Sequence, residues 1–356
     1  MGKHEMNAAM PAAQPAAAPE KKVKTPRQPS GRRRKVLPLV LIAVCTALLL
    51  TAVHFLRAPD VGFADQKDPA DTAADTQTQP DTTKKPTDTS AAKTVKDQFF
   101  TFLLAGTNDS YNTDTLLLCS IDAKNLKVNM ISIPRDSMVD RDTKIPKING
   151  AYGRAGVDEL MAEVTEVTGV PINYYCVINV DSFVKIIDLI GGVEYNVPIR
   201  MYHPDAQSQY TIDIRKGQQT LNGKKAAQFC RFRSTSENDF GRMNRQKDFL
   251  LASLRQVRDK FEISQIEDFI KIFNESVKTN MSGRDMVWFY LNVLSKLNLD
   301  SDVAAYTLPY THAGYYKKQD YVYLDAAGIV ELVNKTVNPY TTPITESDLH
   351  IICLED

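Results

Sequence analysis

From residue 95 onward the apolar and polar positions follow two periods. Runs at 99–105, 115–121 and 127–133 have the length and apolar content of strands. Residues 156–168 instead place Val157, Leu160, Met161, Val164 and Val167 at helical spacing. A strand at 174–180, a helix at 181–190 and a Gly191-Gly192 stop precede another strand at 193–197. Helical patterns follow near 243–260, 263–277 and 283–297, then a strand-like run at 303–308 and a helix at 325–334. Alternation of this kind predicts a mixed sheet covered by helices, an α/β domain. No repeat of 20–50 residues interrupts it. The Leu160, Met161, Val164, Val167 stripe is read as core in preference to a lipid site, and the apolar positions of 184–189 likewise.

The first quarter of the chain follows neither period. Residues 36–56 are apolar except for Pro38, Thr46, Thr51 and His54, and 21 residues suffice to span a bilayer as a helix. The run is longer than the apolar core of a secretory signal, and Gly62-Phe63-Ala64 is a poor cleavage site, so an uncleaved anchor is expected. The net charge of zero conceals an asymmetry around that run. Residues 1–35 hold nine Lys/Arg against two Glu, whereas 57–92 hold four against seven Asp. Cationic flanks stay cytoplasmic, so the predicted topology is a single-pass protein of the cell membrane, N-terminus cytoplasmic, C-terminal domain extracytoplasmic. Residues 1–35 are expected to be a disordered basic tail, 57–94 a disordered extracytoplasmic tether, and 95–356 the folded domain. Cys45 lies in the anchor, while Cys119, Cys176, Cys230 and Cys353 are widely spaced and form no CxxC. Buried free thiols are expected in preference to a zinc site or a disulfide.

Chemistry concentrates in 228–246, QFCRFRSTSENDFGRMNRQ, with Arg231, Arg233, Arg242 and Arg245 around an acidic turn holding Glu237 and Asp239. Phe229 to Arg233 alternates as a strand end would, projecting Arg231 and Arg233 from one face. A helix is expected near Phe240, with Asp239 as its N-cap and Arg242 and Gln246 stacked at i, i+4. Guanidinium forks gathered this way fit a phosphate or diphosphate; a solvated basic face with internal Arg–Asp pairs is the plainer alternative.

Three ordered stretches carry a resemblance. They are Ser132-Ile133-Pro134-Arg135-Asp136, Lys147-Ile148-Asn149 with Ala151-Tyr152, and Asp239-Phe240-Gly241-Arg242 with Arg245-Gln246. Together with Gly191-Gly192-Val193 and Leu221-Asn222-Gly223, they make residues 98–255 similar to the LytR–CpsA–Psr family. The resemblance implies an α-β-α sandwich with a central mixed sheet and an apolar tunnel for a lipid tail. It also implies a phosphotransferase that moves an anionic glycopolymer, of teichoic acid or capsular type, from undecaprenyl diphosphate to a peptidoglycan hydroxyl. On that pattern Arg135, Arg231, Arg233 and Arg242 match the diphosphate ligands, and Gln246 adds a polar contact. Asp239 is either the group that activates the acceptor or an N-cap, and Asp136 a second acid or the partner that orients Arg135. Lys147 either contacts the polymer or pairs with Asp140 or Asp142. The implied Mg2+ would fall to Asp114, Asn108 and Asp109, and here the chain departs from the family. Asn108 stands where many members carry an aspartate, and Asn112 where they carry an arginine. That departure keeps a second class open, a binding module for polyprenyl-diphosphate-linked polymer that transfers nothing. A membrane-bound regulator is the third, but the short cytoplasmic side holds no helix-turn-helix pattern, and no nucleic acid partner is expected.

Overall fold

A computed structural model describes residues 57–63, 93–108, 112–204, 211–232, 239–260, 264 and 266–352, with backbone alone at Asp239 and Phe240. The predicted tail, the predicted span at 36–56, most of the predicted tether, Asp109, Arg233 and Cys353 lie outside the described residues. Three strands open the domain: β1 (Phe99–Thr107), β2 (Thr113–Asp122) and β3 (Lys127–Ser132). Helices α1 (Ala151–Ala155) and α2 (Val157–Thr168) follow, then β4 (Tyr174–Asn179) and α3 (Val180–Leu189). Next come the short strands β5 (Val193–Val197), β6 (Met201–His203), β7 (Ile212–Ile214) and β8 (Gly217–Leu221), then helices α4 (Gly223–Arg231), α5 (Asp239–Lys260) and α6 (Ile266–Ser276). The chain ends with β9 (Lys278–Thr279), α7 (Gly283–Phe289), β10 (Val303–Thr307), β11 (Tyr310–Tyr316), β12 (Gln319–Leu324) and α8 (Ala326–Thr336).

Six strands form a mixed central sheet in the order β10-β3-β2-β1-β4-β9. The pairs β1–β4 and β10–β3 are parallel, and β1–β2, β2–β3 and β4–β9 antiparallel. Alternate residues of β1 enter different cores, as the two-residue period requires. Leu103 and Ala105 pack with Leu160, Val164 and Val167 of α2 and with Ile329 and Val333 of α8. Phe100 and Phe102 pack on the other side with Trp288 and Phe289 of α7 and with Leu254 of α5. Helices thus cover both faces, and the α2 stripe is core as its spacing predicts. A separate apolar cluster joins Ile187, Val193, Val197, Met201, Ile214, Leu221, Phe229 and Phe249 beside the main sheet.

Three details differ from the pattern. Residues 229–231 are not a strand end but the last turn of α4, with Cys230 on a helix as well. Asn222 caps that helix by accepting from the Lys225 amide, and Ala226 and Phe229 bury its inner face at helical spacing. Gly223 is obligatory there, because a Cβ would stand 2.3 Å from the Val184 carbonyl oxygen of α3. The helix expected over 283–297 instead ends at Phe289, and Tyr290–Leu294 form a wider π turn. Residues 57–63, placed by composition in the tether, lie against the domain: Arg284 Nη2 donates to Arg57 O at 2.6 Å, and Phe63 meets the Tyr340 ring at 5.9 Å.

Candidate functional site

Past the end of β3 the chain turns sharply at Pro134–Ser137, with the Ser137 amide and hydroxyl both donating to Pro134 O at 3.0 and 2.7 Å. Arg135 and Asp136 ride on this turn, which is fastened on two sides. On one side Ile148 N donates to Ser137 O at 3.0 Å and Asn149 N to Arg135 O at 3.2 Å. Asn149 O in turn accepts from the Thr113 hydroxyl at 3.3 Å. On the other side Val322 N donates to Asp136 O and Met138 N to Val322 O, which seats β12 along the turn. The Lys147-Ile148-Asn149 motif is therefore a brace for Arg135.

Arg135 Nη1 donates to Asp114 Oδ1 at 2.6 Å, and its Nε lies 3.4 Å from Asp136 Oδ2. Asp136 also receives Lys147 Nζ at 2.9 Å, so Lys147 pairs with Asp136 and not with Asp140 or Asp142. Held between these two cations, Asp136 orients Arg135. Asp114 Oδ2 accepts from Asn108 Nδ2 at 3.2 Å, and Asn112 N donates to Asn108 Oδ1 at 3.2 Å. Thr115, next on β2, donates to Gln246 Oε1 at 2.9 Å, and Gln246 Nε2 donates to Cys230 O at 3.2 Å. Through Gln246 the start of α5 is tied to the edge of the sheet.

A cavity of about 330 Å³ opens between these elements. Asp114, Thr115, Arg135, Asp136, Arg242 and Gln246 line it, with Ala313, Asp320 and Val322 from the β11–β12 hairpin closing one side. Arg242 is buried to 6% exposure, where an arginine side chain is rarely found. Of the predicted residues, the structure brings together Arg135, Arg242, Gln246 and Asp114, with Asn108 one hydrogen bond behind Asp114. Arg231 is not among the lining residues: it is exposed on the last turn of α4, a consequence of that segment being helical. Arg245, one of the four arginines of the stretch, turns inward instead. Its Nη1 donates to Phe232 O at 2.5 Å and its guanidinium lies over the Phe232 ring, which fixes the start of the loop after α4. The side chain of Asp239 lies outside the described residues, and its backbone opens α5.

Sequence reasoning missed Thr115 and the hairpin. Thr115 adjoins Asp114 in a segment read for its carboxylate alone, and the hairpin lies past the last motif. Free thiols do occur as expected at Cys119, Cys176 and Cys230, and burial pushes the first and last up to about 12. Among the described residues no cluster of three acidic, histidine or cysteine side chains is present to hold a metal ion by itself.

The family model of the LytR_cpsA_psr family matches residues 67–338. The chain belongs to that family. A teichoic acid transferase of Bacillus subtilis, TagV, named for transfer from polyisoprenyl-linked teichoic acid to peptidoglycan, is 31% identical over 199 residues. That match takes in 52% of this chain and 51% of TagV. TagU of Bacillus licheniformis, with the same kind of name, is 31% identical over 52% of this chain and 61% of its own. The chain thus spans about half to three-fifths of the length of these relatives. The crystal structure of B. subtilis TagV superposes with a TM-score of 0.59 at 27% identity, covering 67% of this chain and 95% of that one. TagT bound to LIIa-WTA shares the fold at a TM-score of 0.55 and 21% identity, covering 67% of this chain and 89% of that one.

Proposed function

We propose that this LytR_cpsA_psr protein is a glycopolymer–peptidoglycan phosphotransferase acting on an undecaprenyl-diphosphate-linked anionic polymer. The observation that carries the reading is the convergence of Arg135 and Arg242, from separate elements, in one cleft with Gln246. The printed activities of TagV and TagU support it. In the reaction a peptidoglycan hydroxyl attacks the polymer-side phosphorus. Its bond to the bridging oxygen breaks, a phosphodiester to peptidoglycan forms, and undecaprenyl phosphate leaves with the bridging oxygen. Negative charge grows on that leaving phosphate, and the guanidinium groups of Arg135 and Arg242 stabilise it without reorganising. Asp114 and Asp136 hold the Arg135 fork in place. The proton of the attacking hydroxyl passes to a carboxylate, the role proposed for Asp239 at the start of α5.

A Mg2+ ion here would draw most of its shell from substrate, because Asp114 already meets Arg135 and Asn108, and Asn108 Oδ1 accepts from the Asn112 amide. Asp114 would supply a carboxylate and Asn108 an amide oxygen, and magnesium commonly takes one or two carboxylates together with substrate phosphates. Bound there, it would neutralise charge on the diphosphate. Residues 36–56 are proposed as the membrane anchor that keeps the domain, outside the cytoplasm, within reach of a lipid-borne donor. The amide at Asn108 favours a second reading, a module that holds the lipid-linked polymer without transferring it.

One assay separates the two. The full chain in detergent micelles, given lipid-linked polymer, peptidoglycan and magnesium, should release undecaprenyl phosphate and label the peptidoglycan. Binding of donor with no release would establish the module, and no affinity for a prenyl diphosphate would defeat both.

A further inference from the structure

Strands β11 and β12 form a two-stranded hairpin whose two faces have different tasks. One face is anchored. Tyr321 and Tyr323 are buried with Met138, His312 stacks on Tyr323 at 4.6 Å, and Lys147 Nζ stands 5.1 Å over the Tyr321 ring. The other face carries the register pairs Ala313–Val322 and Tyr315–Asp320. Ala313, Val322 and Asp320 line the arginine cleft, as does Tyr321 between them, and Tyr315, paired with Asp320, stands at the rim. It is 73% exposed, the most open large apolar side chain among the described residues.

The turn beyond it is unusual in sequence. Lys317 and Lys318 join the strands as a two-residue loop with φ of +45° and +66°. Loops of this hand call for Asn-Gly, because a Cβ disfavours the left-handed region. Two lysines there put two positive charges at the tip, with Lys317 Nζ 5.0 Å over the Tyr316 ring. Neither lysine forms an ion pair among the described residues. Lys318 is two residues before Asp320, roughly 7 Å at about 3.4 Å per residue.

From the cleft to the tip of the hairpin the charges therefore alternate: guanidinium groups at the base, Asp320 with Tyr315 at the rim, and the lysine pair at the tip. We infer that the β11–β12 hairpin is a binding subsite for the first units of an anionic glycopolymer, with a sugar ring on Tyr315, its hydroxyls donating to Asp320, and the next phosphate on Lys317 and Lys318. This rests on the donor class proposed above. Charge chooses the occupant: a neutral acceptor glycan has no use for the lysine pair, and a phosphate would be repelled at Asp320 but not at the tip. An aromatic face takes the apolar side of a pyranose, as it takes other rings and CH groups.

The test uses the full chain in detergent micelles with two probes: a prenyl diphosphate bearing a neutral disaccharide, and the same lipid extended by a short glycerol phosphate oligomer. The double variant Lys317→Asn/Lys318→Gly keeps a turn sequence suited to the geometry, so its melting temperature should match or exceed that of the parent. It should lose about tenfold in affinity for the extended probe, with a shallower salt dependence, and stay within about twofold for the short one. Tyr315→Ala should weaken both probes about fivefold, and Tyr315→Trp should restore them. Equal affinities of parent and double variant for the extended probe would overturn the subsite while leaving the transfer function standing. So would a Tyr315→Ala variant that loses a neutral chitin oligosaccharide but keeps both donors, since the rim would then serve the acceptor. If the parent binds neither probe, the donor class itself is wrong and the subsite falls with it.

Discussion

Two clusters of arginine and carboxylate stand on this domain, and they differ in balance and in access to solvent. Around the cleft Arg135, Arg242 and Lys147 face Asp114, Asp136 and, from the hairpin, Asp320, three cations against three anions. Beneath the loop that follows the Arg135 turn, Arg141 and Arg154 face Glu159, Glu163 and Glu166 of α2, two cations against three anions. The first cluster is open to a cavity, where an anion from solution can meet its guanidinium groups. The second is closed over Glu163, which is fully buried and joined to Arg154 by a hydrogen bond. Its surplus is relieved by a proton instead: burial pushes Glu163 up to about 7, with Arg154 and Arg141 opposing. Arginine content alone therefore does not mark a site; the access of the guanidinium groups to solvent does.

The largest effects should come from emptying the cleft. Arg135→Ala and Arg242→Ala should each lower kcat about 10²–10³-fold in the undecaprenyl phosphate release assay, the range for losing one donor to developing charge. Each should leave a cooperative melt, because the cleft is wet on one side. A collapse of folding with unchanged turnover by the folded fraction would place these arginines with the structural group. Arg154→Ala should behave in the reverse way. Breaking a buried pair while its partner stays behind costs about 3 kcal/mol. Denaturant unfolding at pH 8 should show that loss, with donor affinity of the folded chain unaltered.

Glu163→Gln sharpens the contrast through pH. Since the folded carboxyl titrates near 7 against an ordinary 4.5, the folded chain holds its proton more tightly than the unfolded chain does. The stability this confers is fully present below pH 4.5 and is lost as pH rises through 7. The parent should thus lose roughly 3–4 kcal/mol over that window relative to the glutamine variant, at about 1.4 kcal/mol per pKa unit. Parallel stability–pH curves for the two proteins would refute the assignment.

Both clusters contain residues that the chain's pattern announces, but only some of their geometry can be read from it. The helix over 156–168 is legible because it buries one stripe at helical spacing, and the strands at 99–105, 115–121 and 127–133 because they are apolar runs in a sheet covered on both faces. Residues 229–233 mislead because a short apolar–basic alternation fits a strand as well as an amphipathic last turn. What decides for helix is tertiary: the close approach at Gly223 and the burial of Ala226 and Phe229. Arg245 sits among the site arginines in sequence, yet its position on α5 turns it toward Phe232. Arg135 was legible from its motif, and Lys147 too, but the Lys147–Asp136 pair arises from a loop closing on itself at Met138 and Lys147. The hairpin escaped altogether, because tyrosines at 315, 316, 321 and 323 fall on both of its faces and leave no apolar–polar alternation.

The smallest expected effect concerns Asn108, where the cleft borders its missing charge. Asn108 Nδ2 now donates to Asp114 Oδ2, so the amide neutralises part of that carboxylate without competing for a cation. Asn108→Asp would replace the donor with a second carboxylate at hydrogen-bond range. Like charges this close should destabilise the metal-free domain by about 1 kcal/mol, near the cost of one lost hydrogen bond. The same pair should hold a divalent cation better, shifting the cleft toward the cationic balance that the diphosphate needs. Melting curves with and without magnesium, each with and without a prenyl diphosphate, separate the two contributions. The variant should melt below the parent in chelator and regain the difference with magnesium, most fully when diphosphate is present. The parent should respond to magnesium only with diphosphate. An Asn108→Asp variant whose deficit is unmoved by magnesium would show that Asp114 holds no metal ion, and the arginines alone would then carry the diphosphate charge.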